Sequence, residues 1–97
     1  MYQKKDYIFS ETLGVCRVDD VTKLSQNKGN PVLYYVLRPV NDRDKVAYIP
    51  VENHSVVLRD LISPVEAAHK KENDYDELSI LLKQEIDYVL KTMNKDK

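Results

Sequence analysis

The apolar pattern of this chain changes period once, near Ser63, and that change limits the fold more than any other feature. Before it, apolar residues come in short runs broken by turn signals; after it, helix formers dominate and glycine is absent. A period near two giving way to one near 3.6 reads as strands followed by helices. With 97 residues, such a chain makes one domain around one modest core, burying ~60–65% of its unfolded surface. Two-lobed enzymes and Rossmann-sized sheets are excluded on size.

Five extended segments precede the change: Asp6-Tyr7-Ile8-Phe9, a longer one from Leu13 to Leu24, Val32-Leu33-Tyr34-Tyr35-Val36-Leu37, Lys45 to Val51, and Val56-Val57-Leu58-Arg59. The third is the strongest, with β-branched and aromatic residues on both faces. Ser25-Gln26-Asn27-Lys28-Gly29-Asn30-Pro31 reads as a hairpin loop, and Asn41-Asp42-Arg43-Asp44 as an all-polar turn. Strands about ten residues apart with tight turns predict a small antiparallel barrel. Gly14 within a strand pattern predicts a bulge or sharp bend. Val15, Val18, Val21 and Leu24 recur every three residues, as on a helix face, but their β-branching and the preceding glycine favour a bulged strand.

Ser63-Pro64-Val65-Glu66 has the form of a capping box with proline at the first helical position, so a short helix over residues 64–71 follows. Asp74-Tyr75-Asp76-Glu77 repeats the capping pattern ahead of a longer helix. There Leu78, Leu81, Leu82, Ile86, Val89, Leu90 and Met93 form an apolar stripe at i, i+3, i+4 spacing, opposite Lys83, Gln84, Asp87 and Lys91. The stripe has to lie on the barrel, on the short helix, or on a second chain, which would make a homodimer through the C-terminal helix. The division is therefore residues 1–62 as barrel and residues 63–97 as a helical extension too short to be an independent domain.

Catalytic constellations are nearly missing. Cys16 is the one thiol and His54 and His69 are the two histidines. Cys16 with His54 makes a conceivable nucleophile–base pair, but Cys16 reads better as a small strand hydrophobe and His54 as a turn residue. No Cys/His spacing suits zinc, Asp42-x-Asp44 lacks the rest of a calcium loop, and neither glycine belongs to a phosphate-binding pattern. The expectation is a non-enzyme with no cofactor and no metal. Lys4-Lys5 has no apolar run behind it and no segment approaches ~18 apolar residues, so neither a signal peptide nor a membrane span is expected. One cysteine makes no intrachain disulfide, so a cytoplasmic protein is expected.

Fifteen basic and 16 acidic residues lack the positive excess of a dedicated nucleic-acid binder. Tyr34, Tyr35 and Tyr48 beside Arg38 and Lys45 could form a single-strand platform. Residues 1–62, however, carry 9 basic and 8 acidic groups, which leaves little for the phosphate term. A protein-binding edge strand is the stronger reading. Lys45, Val46, Ala47, Tyr48, Ile49, Pro50 and Val51 suit it, because a proline is tolerated at an edge and disfavoured inside a sheet.

The ordered runs Asp6-Tyr7-Ile8-Phe9, Leu13-Gly14-Val15-Cys16-Arg17-Val18, Tyr34-Tyr35-Val36-Leu37-Arg38, Ile49-Pro50-Val51-Glu52-Asn53 and Leu58-Arg59-Asp60-Leu61-Ile62-Ser63 resemble the CarD family. More narrowly, they resemble the domain that CarD-like and CdnL-like regulators share with the RNA-polymerase-interacting domain of the transcription-repair coupling factor. The resemblance covers residues 6–68. It implies a five-stranded SH3/Tudor-like barrel, and a bacterial transcription regulator that binds the RNA polymerase β subunit by strand pairing at Lys45 to Val51. Basic side chains often support that contact in the family, whereas Tyr48 stands just before Ile49-Pro50 here. Full-length relatives continue into a basic helical domain with a tryptophan wedge; this chain has no Trp. The polymerase-binding half is therefore expected without the DNA-binding half, with any DNA contact weak or indirect. The alternative is a Tudor-like nucleic-acid-binding or self-associating module.

Overall fold

The fold is taken from a computed structural model that describes residues 1–24, 30–52 and 54–93. Five strands, β1 (Tyr7–Ser10), β2 (Gly14–Leu24), β3 (Val32–Pro39), β4 (Ala47–Pro50) and β5 (Leu58–Asp60), precede two helices, α1 (Pro64–Asn73) and α2 (Ile80–Met93). The strands form one sheet in the order β4-β3-β2-β1-β5, and every pairing is antiparallel. A mainly β protein with C-terminal helices is thus borne out. Residues 25–29 of the expected β2–β3 hairpin loop, together with Asn53 and residues 94–97, lie outside the described residues.

The β1–β2 turn is closed by Ser10, whose Oγ accepts from the N–H groups of Thr12 and Leu13 at 3.2 Å each. Gly14 then leaves the turn at φ +82°. A Cβ there would adopt a disfavoured conformation and meet Leu81 Cδ2 of α2 at 3.0 Å, so glycine serves both the turn and the approach of the helix. The bend predicted at this residue is present at the start of β2.

Further along, Val18 faces Leu37 while Asp20 faces Val36, which leaves Asp19 as the extra residue of a β-bulge. The bulge accounts for the step from Val18 to Val21. Cys16 and Val18 point inward before it, Val21 points inward after it, and an inserted residue turns a period of two into a step of three. The Arg38 guanidinium donates to Asp19 at 2.7 Å and to the Arg43 carbonyl, pinning the bulge to the turn after β3.

Inside the sheet lie Ile8, Cys16, Val18, Tyr35 and Leu37, each at most 3% exposed. Ile49 and Val51 from one end of the strand order, and Leu58 from the other, pack against that same cluster. The sheet therefore wraps around its core, but β4 and β5 both remain ends of the ladder. The closed barrel expected from the spacing is an open one.

α1 begins where expected, with Glu66 N–H donating to Ser63 Oγ at 3.1 Å, and it runs two residues further than residues 64–71. The start of α2 differs. Tyr75–Glu77 forms a single 3₁₀ turn, Asp74 makes no side-chain cap, and Ser79 is the capping residue. Its Oγ accepts from Leu82 N–H at 3.3 Å and its carbonyl from Lys83 N–H at 3.0 Å. Leu78 is extended and outside the helix, because the chain must first carry it into a second cluster built on Ala67, Ile86 and Val89. Among the described residues, no helix is long and apolar enough to cross a membrane.

Candidate partner-binding edge

β4 is an edge strand, and its hydrogen-bond phase decides what the edge offers. Val51 N–H donates to the Leu33 carbonyl at 2.9 Å, so the opposed pairs Leu33/Val51, Tyr35/Ile49 and Leu37/Ala47 are the hydrogen-bonded ones. Tyr48 and Pro50 sit at the intervening positions, with their main-chain groups directed away from β3. The open edge thus presents the N–H and C=O of Tyr48 and the C=O of Pro50, which has no N–H to give. The Tyr48 side chain is 54% exposed. Of the predicted edge residues, Ala47, Tyr48, Ile49 and Pro50 form the strand. Lys45 and Val46 lead into it as exposed coil, and Val51 follows it. Inward-facing Ile49 and Val51 are anchored in the core, so the edge is held by packing while its outer row stays free.

The tyrosines cast as a nucleic-acid platform are separated by this alternation. Tyr35 is buried, with its hydroxyl accepting from Tyr2 N–H at 3.1 Å, whereas Tyr34 and Tyr48 share the outer face. Both basic partners are engaged: Arg38 by Asp19 and the Arg43 carbonyl, Lys45 by Asp42 at 4.0 Å.

The C-terminal stripe is divided among neighbours within the chain. Ile86 and Val89 are buried against Ala67, with Leu78 and Leu90 packed around them. Leu81 lies against Gly14, and Leu82 beside Phe9 and Arg59. The side chain of Met93 is outside the described residues.

One docking residue escaped the sequence reading. Glu85 lies on the apolar side of α2, 1% exposed, and takes a bidentate pair from Arg59 of β5 at 2.8 Å per bond and the Ile62 N–H at 3.0 Å. The same guanidinium lies 4.2 Å from the centre of the Phe9 ring. Its signal was present in the sequence as a lone carboxylate between Leu82, Ile86 and Val89, where only a paired charge is tolerated.

Cys16 is fully buried, and desolvation pushes its thiol up to about 11, so it is protonated and enclosed at neutral pH. His54 instead places Nδ1 2.6 Å from the Val56 carbonyl. The Cys16 thiol thus has neither the exposure nor the ionisation of a reactive thiolate.

Residues 2–70 match the family model described as the CarD-like/TRCF RID domain. That span takes in all five strands and most of α1, and ends before α2. No curated protein and no solved structure matches the chain.

Proposed function

The chain belongs to the CarD-like/TRCF RID domain family, and on that premise we propose that it binds the β subunit of bacterial RNA polymerase and thereby modulates transcription initiation. The contact is strand addition: an extended segment of the β-subunit lobe pairs with the outer row of β4. The observation that carries this reading is the phase of β4. It leaves Tyr48 with both main-chain groups outward and Pro50 with an outward acceptor, on a strand already anchored from inside by Ile49. Backbone pairing supplies the affinity and Tyr48 supplies an aromatic anchor. Direct DNA contact is secondary, because residues 1–62 are nearly balanced in charge and Arg38 is already paired.

The test is a calorimetric titration of the isolated β lobe with this protein at two salt concentrations, with duplex DNA titrated in parallel. Saturable binding that weakens little with salt, without matching affinity for DNA, is the expected result. Absence of binding by the folded protein overturns the proposal. Steeply salt-dependent DNA binding in its place transfers the barrel to the nucleic-acid reading.

A further inference from the structure

The outer face carries apolar side chains in register on β3 and β4, and β2 adds Leu24, Thr22 and the exposed Asp20 to it. Leu24 lies opposite Val32, Thr22 opposite Tyr34, and Asp20 opposite Val36; across the next ladder Tyr34 lies opposite Pro50 and Val36 opposite Tyr48. Residues opposed in this way share one face of the sheet. Leu24 is 36% exposed, Val32 46% and Tyr48 54%. α2 packs at the other end of the sheet, through Gly14, Tyr7 and Arg59. The outer face's apolar rows on β3 reach the open edge of β4, with Val36 beside Tyr48 and Tyr34 beside Pro50.

We infer that this face selects the side chains of the strand that pairs with β4: that strand carries one apolar residue opposite Tyr48 and another opposite Pro50. The inference rests on the polymerase-binding reading and adds what the incoming β-lobe strand must look like. Antiparallel addition continues the sheet's own pairing. The residue opposite Tyr48 then exchanges two main-chain bonds with it, and the residue two positions earlier donates one N–H to the Pro50 carbonyl and receives none. Both project onto the outer face, where they extend the rows ending in Tyr48 and Pro50. The residue between them projects to the other side. Three backbone bonds fix the register, and the two apolar rows across β3 and β4 distinguish this strand from a polar one of equal length.

The test titrates the isolated β lobe with the full chain and three variants, and follows amide exchange at Tyr48 in each complex. Val36→Lys and the milder Val36→Thr alter the face next to Tyr48, while Val65→Lys alters an exposed residue of α1. The expected result is a loss of about tenfold or more for Val36→Lys, a smaller loss for Val36→Thr at an unchanged melting temperature, and wild-type affinity for Val65→Lys. Undiminished binding by both Val36 variants, with the Tyr48 amide still protected, overturns the inference and leaves the edge contact standing. No binding by the wild-type chain overturns the edge contact and the inference together.

Discussion

Tyr48 projects to solvent from a strand whose neighbours hold it, so Tyr48→Asp should leave the melting temperature within about 1–2 °C while lowering β-lobe affinity by about 2 kcal/mol or more. Differential scanning calorimetry and titration on one preparation check both halves of that expectation. Arg59 is the reverse case, because its removal strands a carboxylate. Arg59→Met leaves Glu85, 1% exposed, with only the Ile62 N–H for support. Arg59 itself is 37% exposed, and solvent screening reduces the pair's worth, so the expected cost is about 2–3 kcal/mol in denaturant unfolding. Cys16 should resist alkylation at pH 8 in the native protein and react at the rate of unfolding. Burial holds its thiol at about 11, above the ordinary value of 9.0. The associated stability is therefore complete below pH 9 and fades as pH rises towards 11, a fall that a Cys16→Ala variant should lack.

At the scale of elements, the start of α2 tests what a cap is worth. Ser79→Ala should cost about 1 kcal/mol, since the Leu82 N–H loses its acceptor. Asp74→Ala should stay within about 0.5 kcal/mol, because Asp74 caps nothing through its side chain; urea titrations of the two variants rank them. The sequence favoured Asp74 because its surroundings have the form of a cap. It could not show that Leu78 must leave the helix to reach Ala67 and Ile86. Strands were more legible, since alternation and turn residues are local signals, and all five were found to within a few residues. Their closure was not, because whether β4 meets β5 depends on how far the sheet curls. The period-three valines were legible only as an ambiguity, and Asp19, left out of the ladder, resolves the step from Val18 to Val21. For the candidate site, Pro50 pointed to an edge from composition alone, whereas the outward phase of Tyr48 required the register. Glu85 and Arg59 are 26 residues apart, too far for any periodic rule to join them.

Sheet and helices share their supports across the molecule, so they should unfold together. Ile86→Asp places an unpaired charge in the cluster of Ala67 and Val89 and should cost several kcal/mol, on the order of 3–5. Near-ultraviolet tyrosine dichroism and far-ultraviolet helix signal should then fall in one coincident transition; a sheet signal surviving the loss of helix would show that the two are separable. The bulge at Asp19 has a consequence of another kind. It divides β2 into a stretch up to Val18, which pairs with both β1 and β3 and meets α2 at Gly14, and a stretch beyond it, which pairs with β3 and carries the outer rows. A substitution that resets the packing of α2 acts on the first stretch, and one that alters the outer rows acts on the second. Two surfaces carried by one strand can thus accumulate heritable change at independent rates, and a lineage can rework its helical extension without rewriting the face it shows to others.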